Sequence, residues 1–332
     1  MRVVASITTL TLLLTGCVAS TQSREPHYFV QRSMGVKVEL RIDEPDEAVA
    51  RTAAMQAFAR IDALDALWSD WRTDSELKRF NATQRAESIA VSPETGAAVA
   101  LALEVAFATD GVFDPTIAPL VALWRASRAS LVLPNDEALR AARARVNFKH
   151  IESNGIGSVT KIVAETALDL GGIGKGLAAA ELVVVLANHG CPRALVSVAG
   201  DISAGEAPIG STAWTVDIQW KNGTREAIEL LRQSASTSGD SEQFVEINGT
   251  RYAHIIDPKS GLGAINAEQV TVIGPQTSSE ELLAATITDP HSFISNGGRV
   301  DAFATALSIW RSEQLPREIP HSFRVIKARS PI

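Results

Sequence analysis

The run Phe244-Val245-Glu246-Ile247-Asn248-Gly249-Thr250-Arg251-Tyr252-Ala253-His254-Ile255-Ile256 decides the fold class of this 332-residue chain. Aromatic and β-branched residues flank Asn248-Gly249, a pair that accepts two successive left-handed backbone conformations, as a two-residue hairpin turn requires. The run therefore reads as an antiparallel hairpin. Around it, short strands and helices are mixed without a repeating strand–helix–strand order, which argues for an α+β fold rather than a doubly wound parallel sheet.

Outward from the hairpin, Val270 to Ile273 reads as a strand, residues 301–310 as a last helix, and Phe323 to Lys327 as a strand that closes a sheet. Toward the N-terminus, Trp214 to Trp220 alternates as a strand, and Ala194 to Val198 is a short apolar strand ending at Gly200-Asp201. Leu177 to Asn188 reads as a buried helix behind a glycine-rich turn, and Ser158 to Leu170 is strand-like. Pro134 to Val146 is a charged helix. Ser92-Pro93-Glu94 opens a helix running to about Thr109, with Ser92 as cap and Pro93 in the first turn. Asp46 to Trp68 has Val49, Ala53, Ala57, Ile61, Leu64 and Trp68 at three- and four-residue steps, one face of a long amphipathic helix. Tyr28 to Ile42 reads as strands with Met34-Gly35 near the middle.

The first residues have a different purpose. Met1-Arg2 precedes an apolar stretch from Val3 to Leu14, too short to span a membrane comfortably, which ends in Leu14-Thr15-Gly16-Cys17. A small-residue pair before Cys is what a lipoprotein signal peptidase reads. The expected organisation is a signal peptide over 1–16, a tether over 17–25 lipidated at Cys17, and one domain over 26–332. A periplasm-facing, membrane-anchored protein follows, with the inner membrane favoured. The other cysteine, Cys191, reads as a buried small residue. A formal net charge of −7 without dense Lys/Arg runs argues against a nucleic-acid partner.

Several short patterns carry oxygen, nitrogen or glycine where chemistry needs them. Leu170-Gly171-Gly172-Ile173-Gly174-Lys175-Gly176 joins a strand to a helix. Such a turn either brings backbone, helix N-terminus and the Lys175 charge to a phosphate, or is simply a tight turn. It is not a Walker A loop, because Gly176 follows the lysine, and its spacing is not that of a Rossmann turn. Asp114 and Thr116 suit local caps, and His254 faces either core or site. Asp301 and Thr305 share one helix face, where two hard oxygens suit Mg²⁺ together with a carbonyl and phosphate oxygens, or serve only as local caps.

In order and wording these pieces resemble the FAD:protein FMN transferase (ApbE) family, formerly called thiamine-biosynthesis lipoproteins. The likeness runs from about Met34 to Leu307. It includes Trp71-Arg72-Thr73-Asp74-Ser75-Glu76-Leu77, Gly111-Val112-Phe113-Asp114-Pro115-Thr116 and the glycine-rich turn. Thr237-Ser238-Gly239, His254-Ile255-Ile256-Asp257-Pro258-Lys259-Ser260-Gly261 and Asp301-Ala302-Phe303-Ala304-Thr305-Ala306-Leu307 are its most specific parts. The resemblance implies a single ApbE-like unit of mixed, largely antiparallel sheets with helices, and an FAD cleft between two subdomain-like halves. It implies that Met34, Trp71, Val112, Phe113, Asp114, Gly171, Leu177, Thr237, Ile256 and Asp257 line the FAD pocket. By the same likeness, Gly174, Asp301 and Thr305 hold Mg²⁺. His254 is the candidate base, with Asp301 a less favoured second, and Lys175 is placed to steady the diphosphate or the leaving AMP.

The implied reaction moves FMN from FAD to a Thr or Ser hydroxyl of a partner protein, such as a subunit of a membrane redox complex, and releases AMP. Mg²⁺-dependent FAD hydrolysis to FMN and AMP is an alternative that uses the same pocket, and a non-catalytic flavin-binding assembly lipoprotein is a third. The chain departs from the family at Ser241, where an aromatic is common, and at Ala180, where an acid is expected and Glu181 lies next door. The stretch from Gly274 to Val300 is longer than usual, and reads as a lid, a docking loop or a plain surface loop.

Overall fold

Met34 and Gly35 turn the chain with φ of +52° and +73°, so the first two strands meet as a tight hairpin: β1 (His27–Ser33) pairs antiparallel with β2 (Val36–Ile42). The computed structural model describes residues 24–239, 244–312, 314–316 and 318–327. The lipobox, Cys17 and most of the tether lie outside the described residues, as does Ser241. Helix α1 (Glu47–Trp68) follows, capped by Asp46, whose side chain accepts the Ala48 and Val49 N–H groups. Its buried stripe contains Ala53, Ala57, Ile61, Leu64 and Trp68, as the spacing predicts, but Ala50 and Ala54 take part while Val49 points to solvent. The stripe curves by the 3.6-residue helix period, and Val49 falls just beyond its edge.

Next come α2 (Glu76–Ala82), β3 (Ser88–Ala90), α3 (Pro93–Ala108), α4 (Ala118–Ser130) and α5 (Asp136–Arg143), then β4 (Ile151–Ser153) and β5 (Ser158–Lys161). The charged helix is thus shorter than expected, and the strand-like stretch from Ser158 stays in a strand only to Lys161. Helix α6 (Gly174–Asn188) begins inside the glycine-rich turn and is buried along most of its length. After it come β6 (Ala194–Val198), β7 (Asp201–Ala204), β8 (Trp214–Gln219), β9 (Arg225–Leu230) and β10 (Gln233–Ser238). The hairpin of β11 (Phe244–Ile247) and β12 (Thr250–Ala253) turns at Asn248 (φ +52°) and Gly249 (φ +75°), as its sequence requires. The chain ends with β13 (Ile256–Asp257), β14 (Leu262–Gly263), β15 (Val270–Ile273), α7 (Ser279–Ala284), α8 (Phe293–Ser308) and β16 (Arg324–Lys327).

Among the described residues every ladder is antiparallel, and the main sheet has seven strands in the order β1-β2-β6-β7-β10-β15-β16. This is the α+β architecture expected. The main core fills the space between that sheet and α1, α3, α6 and α8. A second core, with Trp214, Ile218, Trp220 and Ile228, seats the β8–β9 hairpin on the sheet, and a third joins Leu120 and Trp124 of α4 to Tyr252 and Ile256. Cys191 is buried, and burial, helped by Glu44, pushes its thiol up to about 11, as suits a packing residue. The stretch from Gly274 to Val300 is not one loop. Ser278 and Glu281 form a reciprocal capping box on α7, and Phe293 to Val300 are buried turns of α8.

Candidate functional site

A cleft of about 710 Å³ runs between the main core and the two smaller ones. Met34, Trp68 and Trp71 form one side; Val112, Phe113 and Asp114, which follow α3, form another. The start of α6 supplies Gly171, Gly174 and Lys175, and α8 supplies Asp301 and Thr305. His254 and Ile256 enter from the segment after β12, and Thr237 from the end of β10.

At the floor, the Lys175 Nζ lies 3.2 and 3.1 Å from the two oxygens of Asp301, 3.1 Å from Asp201 Oδ2 and 3.1 Å from the Gly171 carbonyl. Asp201 also accepts the Ser236 hydroxyl. Both carboxylates are buried. Burial and then the neighbouring Asp201 push the Asp301 carboxyl above its usual range, although Lys175 and the Gly176 N–H oppose this. Burial pulls the Lys175 ammonium down, but Asp201 and Asp301 more than offset it and hold the amine protonated.

Asp301 has a second task, which explains its place in the middle of a helix. Ile173, at the N-cap of α6, has no side-chain acceptor, and Asp301 Oδ2 accepts the Gly176 N–H at 3.1 Å instead. A carboxylate at this helix start is favoured by the unpaired N–H groups there. The reach is possible because α6 and α8 cross almost backbone to backbone. A Cβ on Gly176 would stand 2.2 Å from the Gly297 carbonyl oxygen, and one on Gly297 would stand 2.5 Å from that of Gly176. The glycine-rich turn thus brings a carboxylate, rather than an open row of amides, to the helix start.

At the mouth, Trp71 is 64% exposed and the Arg125 guanidinium lies over its ring at 4.1 Å, paired with Asp70. Asp114 is held by its own loop: Oδ1 accepts the Thr116 N–H and hydroxyl at 2.8 and 2.6 Å, and Oδ2 accepts the Phe148 N–H at 2.9 Å. Burial raises its pKa, against these bonds. The capping role that its sequence suggests is the one its geometry displays.

A family model described as the ApbE family matches residues 34–320. The chain belongs to the ApbE family. A protein of Klebsiella pneumoniae named FAD:protein FMN transferase is 30% identical over 278 residues, 80% of this chain and 79% of that one. One of Vibrio cholerae with the same name is 30% identical over 82% of this chain and 83% of its own. The solved flavin transferase ApbE from Vibrio cholerae superposes with a TM-score of 0.70 at 27% identity, covering 85% of this chain and 87% of that one. The flavinyl transferase ApbE of Pseudomonas stutzeri in its apo form gives 0.68 at 26% identity over 86% and 87%.

In this ApbE chain most of the residues singled out from the sequence converge on the cleft, but two do not. Leu177 points into the core against Gly298 and is 1% exposed. Asp257 lies outside the wall, where Oδ1 accepts the Lys259 N–H at 2.9 Å and its carbonyl accepts the Gly261 N–H at 2.8 Å, a turn bond. Asp201 was given no role from the sequence, though Gly200-Asp201 stands out at a strand end. Its partner Ser236 is distant in sequence, so only the sheet order reveals the pair. Arg125 was missed because nothing local in α4 points to Trp71.

The donor set suits a hard cation. Among the described residues no cluster of three or more His, Cys, Asp or Glu is arranged to hold a metal. Mg²⁺ typically takes one or two carboxylates and leaves the rest to substrate oxygens and water. Asp301 and Thr305 line the cleft one helical turn apart, and the thin Gly172 backbone keeps Thr305 Oγ1 beside the turn. Three acidic side chains, Asp169, Asp201 and Asp301, line the cleft beside the one ammonium of Lys175, so oxygen donors outnumber cations at the floor.

Proposed function

We propose that this chain transfers FMN from FAD to a Ser or Thr hydroxyl of an exported or membrane-borne acceptor protein, with Mg²⁺ bound and AMP released. The observation that carries it is the convergence of Asp301, Thr305, Lys175 and His254 on one cleft, in a chain whose relatives are named FAD:protein FMN transferase. The acceptor we favour is a subunit of a membrane redox complex. The lipobox at Cys17 supports a lipid-anchored enzyme facing the periplasm, since such an anchor keeps enzyme and acceptor at one membrane.

Balanced by atoms, the acceptor Oγ attacks the phosphorus of the FMN half. A P–O bond forms, the bond from that phosphorus to the bridging oxygen breaks, and AMP leaves with the electron pair. The hydroxyl proton goes to a base within the cleft, and His254, exposed on the cleft wall, is the candidate. Mg²⁺, held by Asp301, Thr305 and the Gly174 carbonyl, would neutralise charge on the diphosphate. Lys175 bridges Asp301 and Asp201, and so fixes the oxygen set on which that cation would depend. Trp71 presents an open ring face for a flavin or adenine ring at the mouth.

The test mixes the purified protein with FAD, with and without Mg²⁺, and follows AMP alone and with a candidate acceptor bearing a Ser/Thr flavinylation motif. Mg²⁺-dependent AMP with FMN fixed to the acceptor is the expected result. AMP with only free FMN would make the chain an FAD hydrolase, and FAD binding without AMP would make it a binding protein.

A further inference from the structure

Four consecutive residues of β8, Val216, Asp217, Ile218 and Gln219, line the cleft, whereas β9 contributes only Ile228. Side chains along a strand alternate between faces, so a cavity touched by four in a row lies along the edge of the strand. Among the described residues β8 pairs with β9 alone, and its other edge fronts the cleft.

The register tells which groups that edge presents. The Trp220 N–H donates to the Thr224 carbonyl, and Ile218 and Val216 stand opposite Glu226 and Ile228 in the same ladder. Hydrogen-bonded pairs recur every second residue, so the N–H and C=O of Thr215, Asp217 and Gln219 point away from β9. The Gln219 carbonyl is taken by the Gln269 side chain at 2.7 Å. Among the described residues nothing takes the outward N–H and C=O of Asp217, which lines the cleft, or of Thr215 just beyond it on the same edge.

We propose that this edge of β8 is the docking strand for the acceptor: an extended segment carrying the Ser or Thr adds to β8 as a third strand and so enters the cleft that holds His254 and Asp301. The inference rests on the transfer function above. An extended peptide repeats its N–H and C=O at the two-residue spacing of the edge, which FAD does not. On the hairpin, exposed Asp217, Glu226 and Glu229 outnumber exposed Lys221 and Arg225, and Asp217 is the one on the docking edge, which favours a segment with Lys or Arg beside the modified residue. Acceptor sites therefore lie in loops or tails, not in helices.

The probe is a pool of short degenerate peptides with a central Thr, added to the full-length protein with FAD and Mg²⁺. The expected result is slowing of amide exchange at Thr215 and Asp217 by about tenfold or more, with FMN on the Thr of part of the pool. Asp217→Pro removes one outward N–H and blocks the edge while keeping the bonds to β9. It should raise the peptide concentration for half-maximal transfer about tenfold and leave FAD affinity as in the wild type, while Asp217→Asn keeps the amide, so that it still docks peptide and loses only the preference for Lys or Arg. Thr215→Pro repeats the test should Asp217→Pro lose FAD binding. Unslowed exchange at both amides, or wild-type transfer in a proline variant that binds FAD, overturns the proposal. So does protection that grows with protein concentration without peptide, which would place a second copy on the edge. If no peptide gains FMN, the transfer function fails while exchange still decides strand addition.

Discussion

Lys175 Nζ lies 3.1 Å from Asp301 Oδ2, and the same ammonium reaches Asp201 at 3.1 Å, so one cation holds two buried carboxylates together. Replacing it with Met leaves them facing each other. Removing one member of a buried ion pair typically costs about 3–5 kcal/mol, and the lower end applies because the lysine side chain is 28% exposed. The loss depends on pH. The Asp301 carboxyl is already above its usual range through burial and Asp201, so the native state holds more protons than the unfolded one between the ordinary carboxyl pKa and that raised value. Stability then falls as pH rises through that window. In thermal melts, Lys175→Met should be closer to wild type at pH 5 than at pH 8; an equal loss at both would refute the coupling.

The crossing of α6 and α8 predicts opposite outcomes for two glycines two residues apart. Gly176→Ala puts a methyl 2.2 Å from the Gly297 carbonyl oxygen and 2.7 Å from Asp301 Cβ, where backbone must move. A loss of about 1–3 kcal/mol and displacement of Asp301 are expected. A Cβ at Gly174 meets nothing nearer than Trp68 at 3.5 Å, an ordinary contact. Gly174→Ala should therefore keep or raise stability by up to about 1 kcal/mol. Denaturant melts of both variants decide this.

Elements whose signal is local were legible in the sequence: the Asn248-Gly249 hairpin, α1, and α3 with Ser92 and Pro93 at its start. What was lost depended on distant partners. β10, Gln233 to Ser238, is mostly Ser and Thr with little strand-like pattern, and is a strand because β7 and β15 hold it from both sides. Its Ser234 hydroxyl is buried against that of Ser203 at 2.8 Å. The first half of α8 contains Asn296-Gly297-Gly298, which lowers helix propensity, yet those glycines permit the close approach to α6. Helix α4 has Pro119 in its first turn but no side-chain cap, so the proline alone marks its start. For the site, residue types and spacing brought Asp301, Thr305 and His254 forward. Asp201 and Arg125 act through partners in other elements.

Trp71 illustrates a residue exposed at a cleft rather than needed for packing. Trp71→Ala should change stability by no more than about 0.5 kcal/mol. Loss of an aromatic stack of about 1–1.5 kcal/mol should weaken FAD binding roughly tenfold. A fluorescence titration with FAD beside a thermal melt separates the two, and unchanged affinity would remove Trp71 from the ligand contacts.

His254 is exposed on the cleft wall, between β12 and β13. If it takes the acceptor proton, His254→Ala lowers the rate of FMN transfer about 10²–10⁴-fold while FAD affinity stays near wild type. Measuring kcat and FAD affinity separately tests this. A variant that binds FAD weakly but turns over normally at saturation would make His254 a binding residue instead.

Lys161 offers a check remote from the cleft. Its side chain is almost fully buried, its Nζ donates to the Thr83 carbonyl at 2.7 Å, and the ammonium lies 4.6 Å from the Phe80 ring centre. Burial, with Arg145 nearby, lowers its pKa to about 8. The folded value is below the unfolded one, so between pH 8 and the ordinary lysine value the unfolded chain holds more protons and this group raises stability as pH rises. Below pH 8 the full cost of burying the charge is present. Lys161→Met removes that cost and the pH trend with it, while leaving the Thr83 carbonyl without its donor. The stability of the variant relative to wild type should therefore decline by about 2 kcal/mol from pH 7 to pH 10. Urea melts at both pH values measure the difference; a constant or rising difference would show that the amine is not desolvated in the fold.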